Sequence, residues 1–351
     1  MLIKLLKKKS LKIMKNILSF ILITTCMSAI NGQSSYPTLG KIIKYDNALD
    51  KLISPDAKIE VLSSGYTWTE GPVWVKDGNY LLFSDVPANT IYQWKQGKNE
   101  GEISVFLKPS GYTGTGVYSN EPGSNGLIIN QKGELVACEH GDRRVSAMPL
   151  SKGGKRTLAD NFKGKKFNSP NDVVQHSSGA YYFTDPPYGL PKQEKDPSRE
   201  LEFGVYRIGT DGKVSQVISD LTRPNGLAFS PDEKILYVAQ SDPEKAFIMA
   251  YPVNADGSVG TGKVFYDATS AVKEGKLRGL PDGLKIDKQG NIFTTGPGGV
   301  LVISPEGKLL GIINTGEATA NCAWGDDGST LYITADMYLC RIKTLTKGVR
   351  F

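Results

Sequence analysis

Apolar residues along this chain come in short runs separated by turn-forming residues, with little of the spacing a helix would need. Gly226–Ser230 (GLAFS), the turn 231–234 (PDEK) and Ile235–Gln240 (ILYVAQ) predict a hairpin, with Asn225-Gly226 at its mouth. The pattern recurs in 70–85 (EGPVWVKDGNYLLFSD), 124–140 (SNGLIINQKGELVACEH), 169–185 (SPNDVVQHSSGAYYFTD), 280–296 (LPDGLKIDKQGNIFTTG) and 321–336 (NCAWGDDGSTLYITAD). The leading residues Glu70, Asn125, Asn171, Asn225, Asp282 and Asn321 recur at intervals of roughly 40 to 57 residues, a period that marks blade repeats. A third strand follows the hairpins and a fourth follows several, for example Phe247–Pro252 and Val264–Asp267. The expected fold is therefore all-β: a six-bladed β-propeller with four-stranded antiparallel blades, spanning residues 58–351. Lys58–Leu62 alternates and is expected to complete the last blade, closing the ring and removing an exposed sheet edge. Residues 33–57 are expected to be a connector with a short helix around Asn47–Leu52. Two insertions, Lys108–Pro122 and Leu190–Phe203, are long enough to be functional lids or simple surface excursions.

Composition changes this picture at one end only. The net charge of +6 over 351 residues would suggest an acidic partner. Residues 1–32, however, hold six lysines and no acidic residue, and the remaining 36 basic residues equal the 36 acidic ones. Nucleic acid is thus not an expected partner. The basic start, the apolar run Ile17–Ile23 and the small and polar residues 24–33 predict a cleaved export signal, with Met14 an alternative start. The apolar run is too short for a membrane span. Cys26 admits a lipid anchor instead, although Thr25 departs from the usual small residue before it. The expected location is periplasmic or secreted. Of the other cysteines, Cys138 and Cys322 fall in predicted strands, and a Cys322–Cys340 bridge is left open.

Antiparallel pairing puts the start of a hairpin's first strand and the end of its second at the same end. One face of the propeller should therefore gather the six leading residues near the central channel. Asp85, Glu139, His140, Asp185, Gln240, Asp242 and Asp336 should surround them. Such a ring is rich in oxygen donors and poor in thiols and imidazoles, the mixture a hard divalent cation takes: Ca²⁺ first, then Mg²⁺ or Mn²⁺. Asn-Gly and Asp-Gly are also ordinary turn dipeptides, so each Asn alone has a purely conformational reading. Glu70, before Gly-Pro, is a poor turn former and argues for chemistry. His140 is placed at the site face, able to bind substrate or pass a proton. His176 maps to the opposite face, and Tyr188, in Asp185-Pro-Pro-Tyr-Gly-Leu, is placed as a pocket wall. No nucleophile elbow or phosphate loop is present.

Four motifs in this order, EGPVW (70–74), SPND (169–172), RPNGLAFSPD (223–232) and PDGL (281–284), resemble those of the senescence marker protein / gluconolactonase / luciferin-regenerating enzyme family. CEHGDRR and FTDPPYGL are similar to its bacterial gluconolactonase branch. The resemblance implies a six-bladed propeller holding one divalent cation, commonly calcium or zinc, and hydrolysing sugar lactones. By motif, the metal ligands would be Glu70, Asn171, Asn225 and Asp282, with Asp282 and Asn171 carrying catalysis. Asn125, His140, Asp185 and Tyr188 are the expected substrate contacts. Two other readings stand beside it: a non-catalytic sugar- or protein-binding propeller with a structural metal, and a hydrolase of other lactones or organophosphates.

Overall fold

The computed structural model describes residues 36–98, 100–151 and 153–351. The segment carrying the export and lipid-anchor expectations lies outside them. Each hairpin of the repeat continues into two further antiparallel strands. Blade 1 runs through Thr69–Val75, Tyr80–Asp85, Thr90–Gln96 and Gly101–Leu107. Blade 2 is Ser124–Ile129, Glu134–Glu139, Arg144–Pro149 and Arg156–Ala159, and blade 3 is Val173–Gln175, Tyr181–Asp185, Gly204–Ile208 and Val214–Ile218. Blade 4 comprises Pro224–Phe229, Ile235–Gln240, Phe247–Pro252 and Lys263–Asp267. Blade 5 comprises Leu284–Ile286, Ile292–Gly296, Gly299–Ile303 and Leu309–Asn314. The first strand of each blade touches the first strands of both neighbours, so six inner strands ring a central channel.

Blade 6 is built from both ends of the chain. Thr319–Gly325, Thr330–Ala335 and Tyr338–Lys343 come from the C-terminal part, and Ile59–Ser64 pairs antiparallel with the last of these. The Arg341 guanidinium meets the Glu60 carboxylate at 2.6 Å across this seam. The expected ring closure is thus present. The preceding stretch does more than connect. Thr38–Leu39 adds a fifth strand outside Ile59–Ser64, and Lys41–Lys44 pairs with Leu309–Asn314 of blade 5. Asn47–Lys51 forms a short 3-10 helix whose first turn is capped by the Asp46 carboxylate, which accepts from the Ala48 amide.

Second strands such as Leu81-Leu82-Phe83 are buried on both faces because each blade is covered by a neighbour on either side. The core is accordingly divided into six apolar clusters, one at each junction between blades. At the junction of blades 2 and 3, Phe167, Phe183 and Tyr206 stack edge-on and offset, fully buried. Truncating such a Phe to Ala costs about 3–5 kcal/mol. These junctions hold the inner strands, and with them the channel mouth, in place.

Candidate functional site

Five of the six leading residues meet as expected. Glu70, Asn125, Asn171, Asn225 and Asp282 line one cavity of about 180 Å³ at the channel mouth, together with Tyr188. The glycines that follow several of them serve close approach more than turning. A Cβ on Gly226 would lie 2.6 Å from the Gly283 Cα and closer still to the Asp282 carbonyl oxygen. Adjacent inner strands therefore touch backbone to backbone, which draws the leading side chains together. Asn225 is oriented by a relay: its amide nitrogen donates to Ser241 Oγ at 2.9 Å, and that hydroxyl donates to the Pro281 carbonyl at 2.5 Å. This leaves the Asn225 amide oxygen for the cavity.

The electrostatics call for a cation. Burial pushes the Glu70 carboxyl up to about 8, with Asp172 adding repulsion against hydrogen bonds from the Gly71 amide and Asn321. Burial, then the neighbouring Glu70, also raises Asp282 well above the usual carboxylate range. Asp282 Oδ1 and Asn125 Oδ1 are buried without hydrogen-bond partners. Two crowded carboxylates and orphaned amide and carboxylate oxygens are the donor set of a hard divalent cation, so the residues fit the group. Among the described residues no three His, Cys, Asp or Glu side chains form a metal cluster, and this donor set is instead mixed carboxylate and amide.

Asn321, the sixth leading residue, is absent from the cavity lining and instead joins groups within the channel. Its amide nitrogen reaches Glu70 Oε2 at 3.3 Å and Asp172 Oδ2 at 3.4 Å, while its oxygen accepts from Lys285 Nζ at 3.4 Å.

Two of the expected substrate contacts, Asp185 and His140, lie outside the cavity lining. Asp185 is fully buried, and its two oxygens accept from the Asn168 amide, the Asn168 side chain and the Ser169 amide at 2.8–2.9 Å. It fastens the chain entering blade 3. The same device recurs: Asp85 accepts from the Thr67 and Trp68 amides, and Gln240 from the Thr222 amide. Three of the seven residues expected around the leading ones thus serve as backbone caps. His140 is likewise fully buried and outside the cavity lining. Its Nδ1 faces the Glu121 carbonyl at 3.2 Å and the Glu121 carboxylate at 3.8 Å, and burial lowers its pKa to about 4. A neutral imidazole there packs behind Glu121, which itself lines the cavity. His176 lies in its hairpin turn beside Glu233 at 3.3 Å, as expected of the opposite face. Cys138, Cys322 and Cys340 are all buried free thiols, which settles the open disulfide.

Sequence reasoning missed Glu121, Arg223, Trp68, Ser241 and Leu280, which complete the cavity wall. Arg223 stands two residues before Asn225 in the RPN motif, the one available signal. Glu121 ends the first insertion, and no periodicity marks it. Both insertions are tied down. Asn89 Oδ1 accepts from the Ser110, Gly111 and Tyr112 amides at 2.8–3.2 Å. In the second, Arg143 donates to the Phe167 carbonyl at 2.5 Å and to Ser198, and Arg223 pairs with Glu194 at 2.6 Å.

Residues 68–336 match the model of the SMP-30/Gluconolactonase/LRE-like region. The chain is 40% identical to the gluconolactonase of Zymomonas mobilis over 332 residues, covering 93% of this chain and 92% of that one. It is 25% identical to a pentonolactonase of Haloferax volcanii, over 76% of this chain and 80% of the other. A solved gluconolactonase of Xanthomonas campestris superposes with a TM-score of 0.74 at 29% identity, covering 88% of this chain and 97% of its own. Sequence and architecture agree over nearly the whole described length: the chain belongs to the SMP-30/gluconolactonase/LRE-like family and is a lactone hydrolase.

Proposed function

We propose that the chain is an exported, divalent-cation-dependent hydrolase that opens six-membered sugar lactones of the glucono-1,5-lactone type to aldonic acids. The observation that carries this reading is the pair of crowded, buried carboxylates, Glu70 and Asp282, facing a small polar cavity with unsatisfied oxygens. Glu70, Asn171, Asn225 and Asp282 would hold the cation. No imidazole or thiol stands among the cavity residues, so calcium, with magnesium or manganese next, suits the set better than zinc. When bound, the cation supplies Lewis acidity toward the lactone carbonyl.

The remaining work falls to side chains. Asp282 Oδ1, aimed at the cavity without a partner, takes the proton of the attacking water. Water oxygen bonds to the carbonyl carbon, the bond from that carbon to the ring oxygen breaks, and the ring oxygen leaves as a hydroxyl by taking the proton that Asp282 received; the aldonic acid then releases its own proton to solvent. Asn125 Oδ1, buried without a partner, and the Tyr188 hydroxyl, beside Ser241 and Asn225, orient the sugar hydroxyls. The walls are already formed, which reduces the ordering cost of binding. Export rests on the leader pattern of residues 1–32; among the described residues no helix is long and apolar enough to cross a membrane.

The test is proton release from glucono-1,5-lactone by protein beginning at Gln33, after chelation and after adding back Ca²⁺, Mg²⁺, Mn²⁺ or Zn²⁺ separately. Turnover above the spontaneous rate should vanish on chelation, return with cation, and be lost in Asn171→Ala without loss of the fold. Undiminished turnover in chelator would reject the cation requirement.

A further inference from the structure

A second cavity, about 310 Å³, adjoins the first and is lined by Asn120, Glu121, Tyr188, Leu190, Pro191, Lys192 and Gln193. Glu121 and Tyr188 belong to both linings, so the two spaces share a wall. Apart from Tyr188, its residues come from the ends of the two insertions, which the propeller repeat does not require. We infer that this groove is a second sugar subsite, and that the enzyme takes lactones of disaccharides, with a glycosyl unit on O4 of the aldonolactone ring. The inference rests on the lactonase reading of the inner cavity.

Three observations support it. The inner chamber alone, about 180 Å³, is smaller than the usual ligand pocket of about 300–1,000 Å³, and the groove beyond Glu121 and Tyr188 offers about 310 Å³ more. The groove pairs an apolar side (Pro191 and the Tyr188 ring) with amide, ammonium and carboxyl groups, matching a pyranose with its C–H face and hydroxyl rim. Lys192 is the single cationic group in the lining, not one of a cluster of the kind that grips a phosphate, which suits a neutral polyol. Chemistry fixes the direction. In a 1,5-lactone, C4 lies across the ring from the carbonyl carbon, so a carbonyl held over Glu70 and Asp282 turns O4 away from them. The groove is also preformed: Asp196 accepts from the Lys192 and Ser198 amides, both at 2.9 Å, and Arg223 pairs with Glu194 in the intervening turn. The reaction that must supply such a substrate is oxidation of a reducing disaccharide at its anomeric carbon.

The experiment compares kcat/KM on maltobiono-1,5-lactone, glucono-1,5-lactone and 6-phosphoglucono-1,5-lactone, for wild type and for the double variant Asn120→Ala/Gln193→Ala. These side chains are exposed, so the variant should fold. Wild type should hydrolyse maltobionolactone at least as well as gluconolactone. The variant should lower the maltobiono-to-glucono ratio about tenfold, as expected for two lost hydrogen bonds. Gluconolactone turnover with maltobionolactone a hundredfold worse, a ratio unmoved by the variant, or preference for the phosphate ester would overturn the subsite while leaving the lactonase intact. Failure on every lactone would overturn both.

Discussion

The crowding of Glu70 and Asp282 makes cation-free stability depend on pH in a definite direction. An unfolded glutamate ionises near 4.5, whereas buried Glu70 holds its proton to about 8. Its contribution is therefore fully present below about pH 4.5 and is lost as pH rises through about 8. At 1.36 kcal/mol per pH unit that interval corresponds to about 5 kcal/mol, an upper bound because water reaches the open cavity. For a domain of this size each kcal/mol moves Tm by about 2 °C, so chelated protein should lose up to about 8 °C over the three pH units between 5 and 8, where the change is at most about 4 kcal/mol. Glu70→Gln removes the ionisation and should be flatter over the same range. Saturating Ca²⁺ should restore the wild type, by about 2.7 kcal/mol at a hundredfold excess over Kd, and restore the variant less. Scanning calorimetry from pH 5 to 8, with chelator or calcium, measures all four curves. Parallel slopes for wild type and Glu70→Gln in chelator would refute the reasoning, because the buried carboxyl would then not be the titrating group.

Gly226→Ala puts a Cβ against the Asp282 and Gly283 backbone and should destabilise by about 1–3 kcal/mol, with a larger loss of turnover, read from urea melts and proton release. Asp185→Ala leaves two buried amides and the Asn168 side chain without their acceptor and should cost about 2–4 kcal/mol in the same melts. A chain beginning at Gln33 has three thiols, and burial pushes Cys322 and Cys340 up to about 12. A thiol reagent should find almost none in the native protein and three after denaturation.

What the sequence revealed and what it hid follow from different physics. The six repeats were legible because strand alternation and turn residues are local, and so was ring closure through Ile59–Ser64, because an open edge is a liability. The leading residues were legible because antiparallel pairing alone places strand starts together. The rim was not. Asp185 and Asp85 share spacing and charge with a ligand ring, yet their carboxylates cap amides just upstream, a competition between backbone and solute that no spacing resolves. His140 was placed at the correct end, but depth beneath Glu121 is a packing outcome. Glu121 itself was missed because it comes from an insertion outside the repeat. Lys41–Lys44 was read as connector because its partner, blade 5, is some 270 residues away in sequence, roughly the separation at which local pattern says nothing about pairing.

We assign lactone opening to the Glu70, Asn171, Asn225 and Asp282 mouth of the channel. The most direct test of this assignment titrates calcium into chelated protein while following glucono-1,5-lactone hydrolysis and Tm on the same sample, for wild type and Asp282→Ala. The account predicts that activity and Tm rise together to a plateau at one cation per chain, and that Asp282→Ala shows neither rise. Full activity before any cation is added, or an Asp282→Ala variant as active as wild type, would contradict it.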